Sequence, residues 1–150
     1  MNLPKLLPRL LLIEDSDARI NQFREWLPEG VVLVVAASAG RAIGTLQHSN
    51  PYDYAGILLD HDLEQQVVNP AEVYFNGSNV ADTLVAKISN EVPVLVHSIN
   101  PSGAWNMRRK LEGAGFEVTI SPMTNLTYER FNTWLLNALE LWKFMQEDDQ

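Results

Sequence analysis

The sequence LLDHDL, residues 58–63, joins an apolar run to three ionisable side chains. Residues 57–59 predict a strand buried on both faces, so Asp60, His61 and Asp62 follow its carboxyl end. Ligands bind at that edge of an open α/β sheet. Three ionisable groups suit a reaction centre better than a core, so we place the candidate site around Asp60.

The composition favours one compact domain. The chain has 150 residues and is 46% hydrophobic, enough for a sizeable core. We predict a single domain over residues 1–150, with a core over about residues 10–145 and an acidic tail. The net charge of −8 argues against unspecific binding to nucleic-acid backbones, although a small nucleotide held by a cation is compatible with it. The absence of cysteine excludes disulfides and thiolate metal sites.

The amino-terminal segment resembles no targeting signal. Lys5 and Arg9 lie among leucines, but Pro8 interrupts the apolar run and no small-residue cleavage site follows. No apolar stretch approaches the roughly 20 residues that cross a bilayer. We therefore expect a soluble cytoplasmic protein with no membrane partner.

Short apolar runs alternate with segments of helical periodicity along the chain. Strands are predicted over residues 10–13, 31–36, 54–59, 92–96 and 116–120. Helices are predicted over residues 16–27, 38–46, 76–88, 103–111 and 128–145. This order predicts a doubly wound α/β fold, a five-stranded parallel sheet with helices on both faces. Residues 64–76 are predicted to form a long loop beside the candidate site.

The last helix carries a wide apolar surface. Its predicted core stripe comprises Phe131, Trp134, Leu135, Ala138, Leu141, Trp142 and Met145. Leu136, Leu139 and Phe144 widen that surface beyond one stripe, which indicates a homodimer contact or a deeply buried terminal helix.

The positions of the acidic residues resemble the receiver domain of response regulators. In that family an acidic pair after the first strand and an aspartate after the third strand hold a divalent cation, and that aspartate accepts a phosphoryl group. Glu14, Asp15 and Asp60 match these positions. The resemblance implies a receiver-like (flavodoxin-like) fold, in agreement with the alternation of strands and helices predicted above.

Two departures separate the chain from ordinary phospho-receivers. A receiver carries lysine before proline after strand five, where this chain has Ser121 and Pro122. It also carries serine or threonine after strand four, where this chain has His97 and Ser98.

A closer resemblance is to the cyclic-phosphate-processing receiver-like family, which is expected to be enzymatic. Its pattern has an acidic pair with a following arginine, Leu-Asp-His-Asp-Leu after strand three, a glycine opening the next helix, and His-Ser-x-Asn after strand four. The matching residues are Glu14, Asp15, Arg19, Leu59 to Leu63, Gly77, His97, Ser98 and Asn100. The match extends through Pro101, Gly103, Ala104 and Met107.

The first functional hypothesis is metal-assisted hydrolysis of a cyclic phosphodiester. Asp15 and Asp60, with Glu14 acting through water, offer hard oxygen ligands to Mg²⁺ or Mn²⁺. Such a cation polarises a phosphoryl oxygen. Histidine near the acids slightly favours Mn²⁺ or another transition metal, zinc included, and a metal-free reaction between two histidines is also open.

Two histidines supply the proton transfers in this hypothesis. His61 or His97 takes a proton from water, and the other protonates the leaving oxygen. Asp62 orients a histidine or adds a ligand. The phosphate oxygens are assigned to Ser98, Asn100 and Arg19, the last of which lies one helical turn beyond Asp15. The substrate is a 2′,3′-cyclic RNA end, a cyclic mononucleotide or a cyclic oligonucleotide.

Each of these residues also has a plainer interpretation. Asp15 suits a helix amino terminus and Asp60 suits a turn. His61 points to solvent if its neighbours point inward, since directions alternate along a strand. His97 fits a hydrogen-bonded core histidine, and Arg19 fits a solvated helix surface.

Two other hypotheses belong to different functional classes. The chain could be a receiver that binds a partner protein and catalyses nothing, which the missing strand-five lysine favours. It could also retain phosphoryl acceptance at Asp60, which the same substitution disfavours.

Overall fold

The structure, a computed structural model, describes residues 6–63 and 76–148. Its strands are β1 (Arg9–Ile13), β2 (Val32–Ala36), β3 (Gly56–Leu59), β4 (Val94–Val96) and β5 (Val118–Ile120). Its helices are α1 (Asp17–Trp26), α2 (Ala39–Gln47), α3 (Gly77–Lys87), α4 (Pro101–Gly113) and α5 (Tyr128–Asp148). All strands are parallel, in the order β2-β1-β3-β4-β5. The predicted fold class is confirmed.

The two faces of the sheet bury different helices, because side chains alternate along each strand. Leu10, Leu12 and Leu58 pack with α1 and α5, whose Phe23 and Phe131 are fully buried. The intervening strand positions, such as Ile13, Leu59 and Val96, pack with α2, α3 and α4 on the other face. Central strands covered on both sides consist almost entirely of leucine, isoleucine and valine for this reason.

The strand register brings three carboxyl ends to one level. Ile13 pairs with Leu59, and Leu59 pairs with Val96. The next residue of each strand continues the ladder: the Asp60 amide donates to Ile13 O at 3.0 Å, and the His97 amide donates to Leu59 O at 3.1 Å. The register therefore decides which polar residues can meet.

Helix boundaries differ from the predicted ones at α4 and α5. Helix α4 begins at Pro101, two residues before the predicted start, because the Asn100 side chain caps it and proline suits the first helical position. Helix α5 continues through Asp148, beyond the predicted end at Met145.

The predicted core stripe of α5 is wrong at one position. Leu141 is exposed, whereas Leu139 packs against the core. Helix α5 has 21 residues and is about 31 Å long, whereas strands of three to five residues span about 10–17 Å. The helix therefore extends beyond the edge of the sheet, and no side chain described after Ala138 is fully buried. Leu136 and Phe144 are exposed, and a homodimer through them stays a prediction.

Among the described residues, no helix combines the length and the apolar composition needed to cross a membrane. The loop predicted over residues 64–76 lies outside the described residues, apart from Asn76.

Candidate active site

Three carboxylates meet at the carboxyl edge of the sheet. Glu14 and Asp15 follow β1 and Asp60 follows β3, and all three are buried. One oxygen from each lies within 4.8 Å of the others, which is compact enough for a shared metal ion. Asp60 Oδ1 accepts a hydrogen bond from the His61 amide at 2.9 Å, while the buried Oδ2 has no hydrogen-bond partner among the described residues. The predicted acidic cluster exists, and a hard cation fits its all-oxygen donor set.

Glu14 is held from two sides. Its Oε1 accepts from the amides of Asp15 and Ser16 at 3.1 and 3.0 Å. Its Oε2 lies 2.7 Å from His97 Nε2, and both side chains are fully buried. His97 also packs edge-on against Phe23, with ring centroids 5.1 Å apart. His97 thus faces Glu14 and the α1 face of the sheet.

Arg19 reaches back from α1 to all three acids. Its Nη2 lies 3.0 Å from Glu14 Oε1, but 3.9 Å from Asp15 Oδ1 and 3.7 Å from Asp60 Oδ2. The first distance is a close ion pair, and the other two are loose contacts. Burial opposes the charged guanidinium, but the bond to Glu14 and the three negative charges outweigh it and raise the pKa of Arg19.

The pKa values of Glu14 and Asp60 are shifted in opposite directions. Burial opposes ionisation of Glu14, but the hydrogen bonds and charges of His97 and Arg19 outweigh it and lower the pKa of Glu14 to about 2. Burial and the neighbouring Glu14 charge raise the pKa of Asp60 to about 6, despite the opposing charges of His97 and Arg19. Glu14 is therefore ionised and His97 Nε2 carries the proton that it donates, while a bound cation would favour the ionised form of Asp60.

A second polar group forms beside the first. His61 Nδ1 lies 2.9 Å from Asp62 Oδ1, and Asn100 Nδ2 donates to the same oxygen at 3.2 Å. Asn100 Oδ1 accepts from the Gly103 amide, which fixes the amide orientation. The His61 bond lowers the pKa of Asp62, so that carboxylate is ionised and accepts the Nδ1 proton. The acceptor nitrogen of the neutral ring is then Nε2.

Two glycines make room for His61. A Cβ on Gly103 would lie within 2.6 Å of three atoms of the His61 ring. A Cβ on Gly77 would lie 2.6 Å from Asp60 O, His61 Cα and a side-chain atom of Met107. The Gly77 amide also donates to His61 O at 2.9 Å, which ties the start of α3 to the end of β3.

Serines occupy two positions of interest. Ser98 is buried, and its Oγ accepts from the Asn100 amide at 3.1 Å, so it shapes the turn before α4. Ser121 follows β5, and its amide donates to Val96 O at 3.0 Å. This position therefore carries a serine, where the receiver pattern has a lysine.

The structure divides the predicted site residues between the two groups. Glu14, Asp15, Arg19, Asp60 and His97 form one group; His61, Asp62 and Asn100 form the other, with Ser98 behind Asn100. The histidines enter different groups because His97 is the first residue after β4, whereas His61 is the second after β3, so their directions alternate. The chemical roles of these residues stay predictions.

Two contributors to the site were not evident from the sequence. Phe23 packs against His97, and Gly103 receives the His61 ring. The glycine was part of the recognised motif, but its spacing carried no sign of which ring it accommodates. Nothing in the sequence linked Phe23 to a residue 74 positions away.

Comparison with known proteins supports one family. The family described as the cyclic-phosphate processing receiver domain matches residues 9–113. No curated protein matches the chain.

Solved structures of the same fold share little sequence with the chain. The signal receiver domain of a LuxO repressor protein from Vibrio parahaemolyticus is 19% identical, with 97% of this chain and 99% of that one covered and a TM-score of 0.68. An adenylate cyclase from Rhodopirellula baltica is 17% identical, with 96% of each chain covered and a TM-score of 0.67. A sensor histidine kinase receiver from Pseudomonas aeruginosa, solved with magnesium in its active-site cleft, is 16% identical, with 89% and 98% covered and a TM-score of 0.64. These likenesses show the fold.

Proposed function

The chain belongs to the cyclic-phosphate processing receiver family, and we propose that it hydrolyses a cyclic phosphodiester with the help of a divalent cation. The observation that carries the proposal is the placement of His61, oriented by Asp62, beside a buried acidic cluster. An acidic cluster alone would serve any receiver. A histidine held by a carboxylate adds the proton transfer that hydrolysis needs.

Asp15 and Asp60 are the residues best suited to hold Mg²⁺ or Mn²⁺ directly. Both oxygens of Glu14 are already bonded to His97, Arg19 and two amides, so Glu14 contributes charge and reaches the cation through water. Asp60 Oδ2, buried and without a hydrogen bond from the described residues, offers a ligand atom. When bound there, the cation would polarise a phosphoryl oxygen and offset developing negative charge.

His61 handles the proton of the attacking water. Its Nε2 accepts that proton as the water oxygen bonds to phosphorus, while Asp62 stabilises the ring cation through Nδ1. The phosphorus–oxygen bond of the ring then breaks, the leaving sugar oxygen takes a proton from solvent, and His61 returns its proton to solvent. The product is a phosphomonoester, so atoms and charge balance with one water consumed.

Arg19 binds a non-bridging phosphate oxygen in the complex. Its contacts to Asp15 and Asp60, at 3.9 and 3.7 Å, are long enough that a cation replaces them at little cost. The close pair with Glu14, at 3.0 Å, keeps the guanidinium at the site.

His97 acts as a positioning residue in this proposal. Its ring is fully buried between Glu14 and Phe23, which separates it from any substrate atom. It holds Glu14 in place and keeps that carboxylate ionised next to the cation site.

Turnover of a panel of cyclic mononucleotides and cyclic dinucleotides, with Mg²⁺, Mn²⁺ or chelator, tests the proposal by ³¹P NMR of the phosphomonoester. We expect His61→Ala to lower kcat by about 10²- to 10⁴-fold, the usual contribution of a general base. His48→Ala is the matched control, because His48 is exposed at the end of α2. Equal turnover by His61→Ala and the unmodified protein would overturn the assignment of the base.

One observation favours the non-catalytic alternative. Arg19 pairs closely with Glu14 and lies near Asp15 and Asp60, and Ser121 rather than a lysine comes directly after β5, so a receiver of this kind holds its shape without a cation and binds a partner protein. Magnesium titration followed by NMR, combined with the turnover panel, separates the two hypotheses. Shifts of the Asp15 and Asp60 amides at millimolar Mg²⁺ together with turnover support the enzyme. Their absence, together with no turnover on the whole panel, supports the regulatory module.

A further inference from the structure

A polar groove runs between α3 and α4, next to the candidate site. Ser78, Asn106, Arg109 and Lys110 line a cavity of about 430 Å³ there. We propose that this groove binds a second phosphate of the ligand, so that the substrate is a short phosphodiester-linked oligonucleotide rather than a cyclic mononucleotide. The inference rests on the proposed function for the identity of the first phosphate.

The groove begins at His61. Gly103 touches the His61 ring, and Asn106 and Lys110 follow it at the three- and four-residue steps that share one helix side. On the facing helix, Ser78 comes directly after Gly77, which abuts Asp60 and His61. Arg109 lies six residues beyond Gly103, about 9 Å along the helix axis. Arg109 therefore lies on the part of the groove away from His61, where a second phosphate of the ligand would bind.

Arg109 is the cation that is free to bind it. On the same helix, Arg108 pairs with Glu112 at 2.6 Å, and Lys110 pairs with Asp82 at 3.1 Å. Arg109 has no ion pair or hydrogen bond to any residue in the described part of the chain. An exposed, unpaired arginine that lines a cavity in a chain of net charge −8 suits an anionic ligand.

An exposed aromatic residue stands beside Arg109. Trp105 precedes it by four residues, which places the two side chains next to each other on the helix surface, and 55% of Trp105 is exposed. Single-stranded nucleic acids are bound by such a combination, with the cation on the phosphate and the ring stacked on a base. Trp105 and Arg109 thus provide contacts for the base and the phosphate of one further nucleotide.

Calorimetry with three probes in the presence of Mg²⁺ tests whether the groove binds a second phosphate. The protein that carries His61→Ala is the background into which the other substitutions are introduced. The probes are adenosine 2′,3′-cyclic phosphate, its adenylyl-extended dinucleotide with the same cyclic end, and cyclic di-adenylate. We expect Arg109→Gln to weaken binding of a dinucleotide about tenfold and to leave the mononucleotide unchanged. Loss of one phosphate contact should also reduce the slope of log K against log salt by about 0.7. Trp105→Ala should weaken the same dinucleotide by about 5- to 150-fold, the range for one stacked base.

Arg108→Gln is the matched control, since it removes the same charge from the same helix but lies outside the groove lining. The dinucleotide that binds more tightly shows whether the ligand is the end of a strand or a closed ring. Equal affinities of Arg109→Gln and its background for every probe, or no dinucleotide binding at millimolar concentration, would overturn the inference even if hydrolysis occurs. An Arg109-dependent dinucleotide affinity without any hydrolysis by the unmodified protein would overturn the proposed function alone.

Discussion

His97 Nε2 lies 2.7 Å from Glu14 Oε2, although 83 positions separate the two residues in the chain. Both side chains are fully buried, so each compensates a charge or donor that water cannot reach. Loss of one partner from such a buried pair leaves the other without compensation. This contact joins β1 to β4 at the edge where the candidate site forms.

Replacement of His97 should therefore affect stability first. We expect His97→Ala to lower the free energy of unfolding by about 3–5 kcal/mol, because Glu14 stays buried without its main partner. Urea unfolding followed by circular dichroism measures this change. His48→Ala, on the surface, should stay within about 0.5 kcal/mol of the unmodified protein. A small effect at His97 would mean that water enters and replaces the ring.

The pKa of Glu14 predicts a loss of stability in acid. That pKa is lowered from 4.5 to about 2, so the folded state favours the ionised carboxylate. The resulting stabilisation is complete above about pH 4.5 and disappears as the pH falls to about 2. Urea unfolding at a series of pH values should show this decline. In Glu14→Gln the decline over the same pH interval should be smaller, and an unchanged decline would contradict the assignment.

Asp60 should have the opposite effect in metal-free protein. Its pKa is raised from 3.8 to about 6, so its ionised form is unfavourable in the fold at neutral pH. The free energy of unfolding should therefore rise as the pH falls from 7 towards 5. At pH 7, Asp60→Asn should raise the free energy of unfolding by up to about 3 kcal/mol. Thermal melts with chelator measure both effects.

Magnesium should change this pattern. At about 100 times its dissociation constant, Mg²⁺ should stabilise the unmodified protein by about 2.7 kcal/mol at pH 7, and this gain should largely vanish in Asp60→Asn. An equal gain in the variant would place the cation elsewhere.

Gly103 should govern the position of the His61 ring. A methyl group there overlaps the imidazole, so Gly103→Ala should turn the ring away from Asp62 and lower kcat by at least about tenfold. Gly44→Ala is the matched control, because a Cβ at Gly44 meets nothing within 4 Å. That change inside α2 should raise stability by about 1 kcal/mol and leave kcat unchanged. Steady-state kinetics and urea unfolding together check both variants, and normal kcat in Gly103→Ala would show that the ring position is unimportant.

Much of the fold could be predicted because apolar strands and amphipathic helices alternate so regularly. The meeting of Glu14, Asp60 and His97 also followed from sequence, since parallel strands end at one edge. The directions in which the side chains point from those strand ends could not be predicted from the sequence. His97 and His61 differ by one position relative to their strand ends, and the register that sets those ends depends on packing across the whole sheet. The pairing of Arg19 with the acids likewise depends on how α1 is tilted against the sheet.

The hydrogen bond between the Gly77 amide and His61 O joins the carboxyl end of β3 to the start of α3, on either side of residues 64–75 in the sequence. Homologous stretches of different length or sequence can therefore be grafted between these points while the strand ends keep their spacing. Chimeras built this way would let ligand preference be re-engineered separately from the reacting groups.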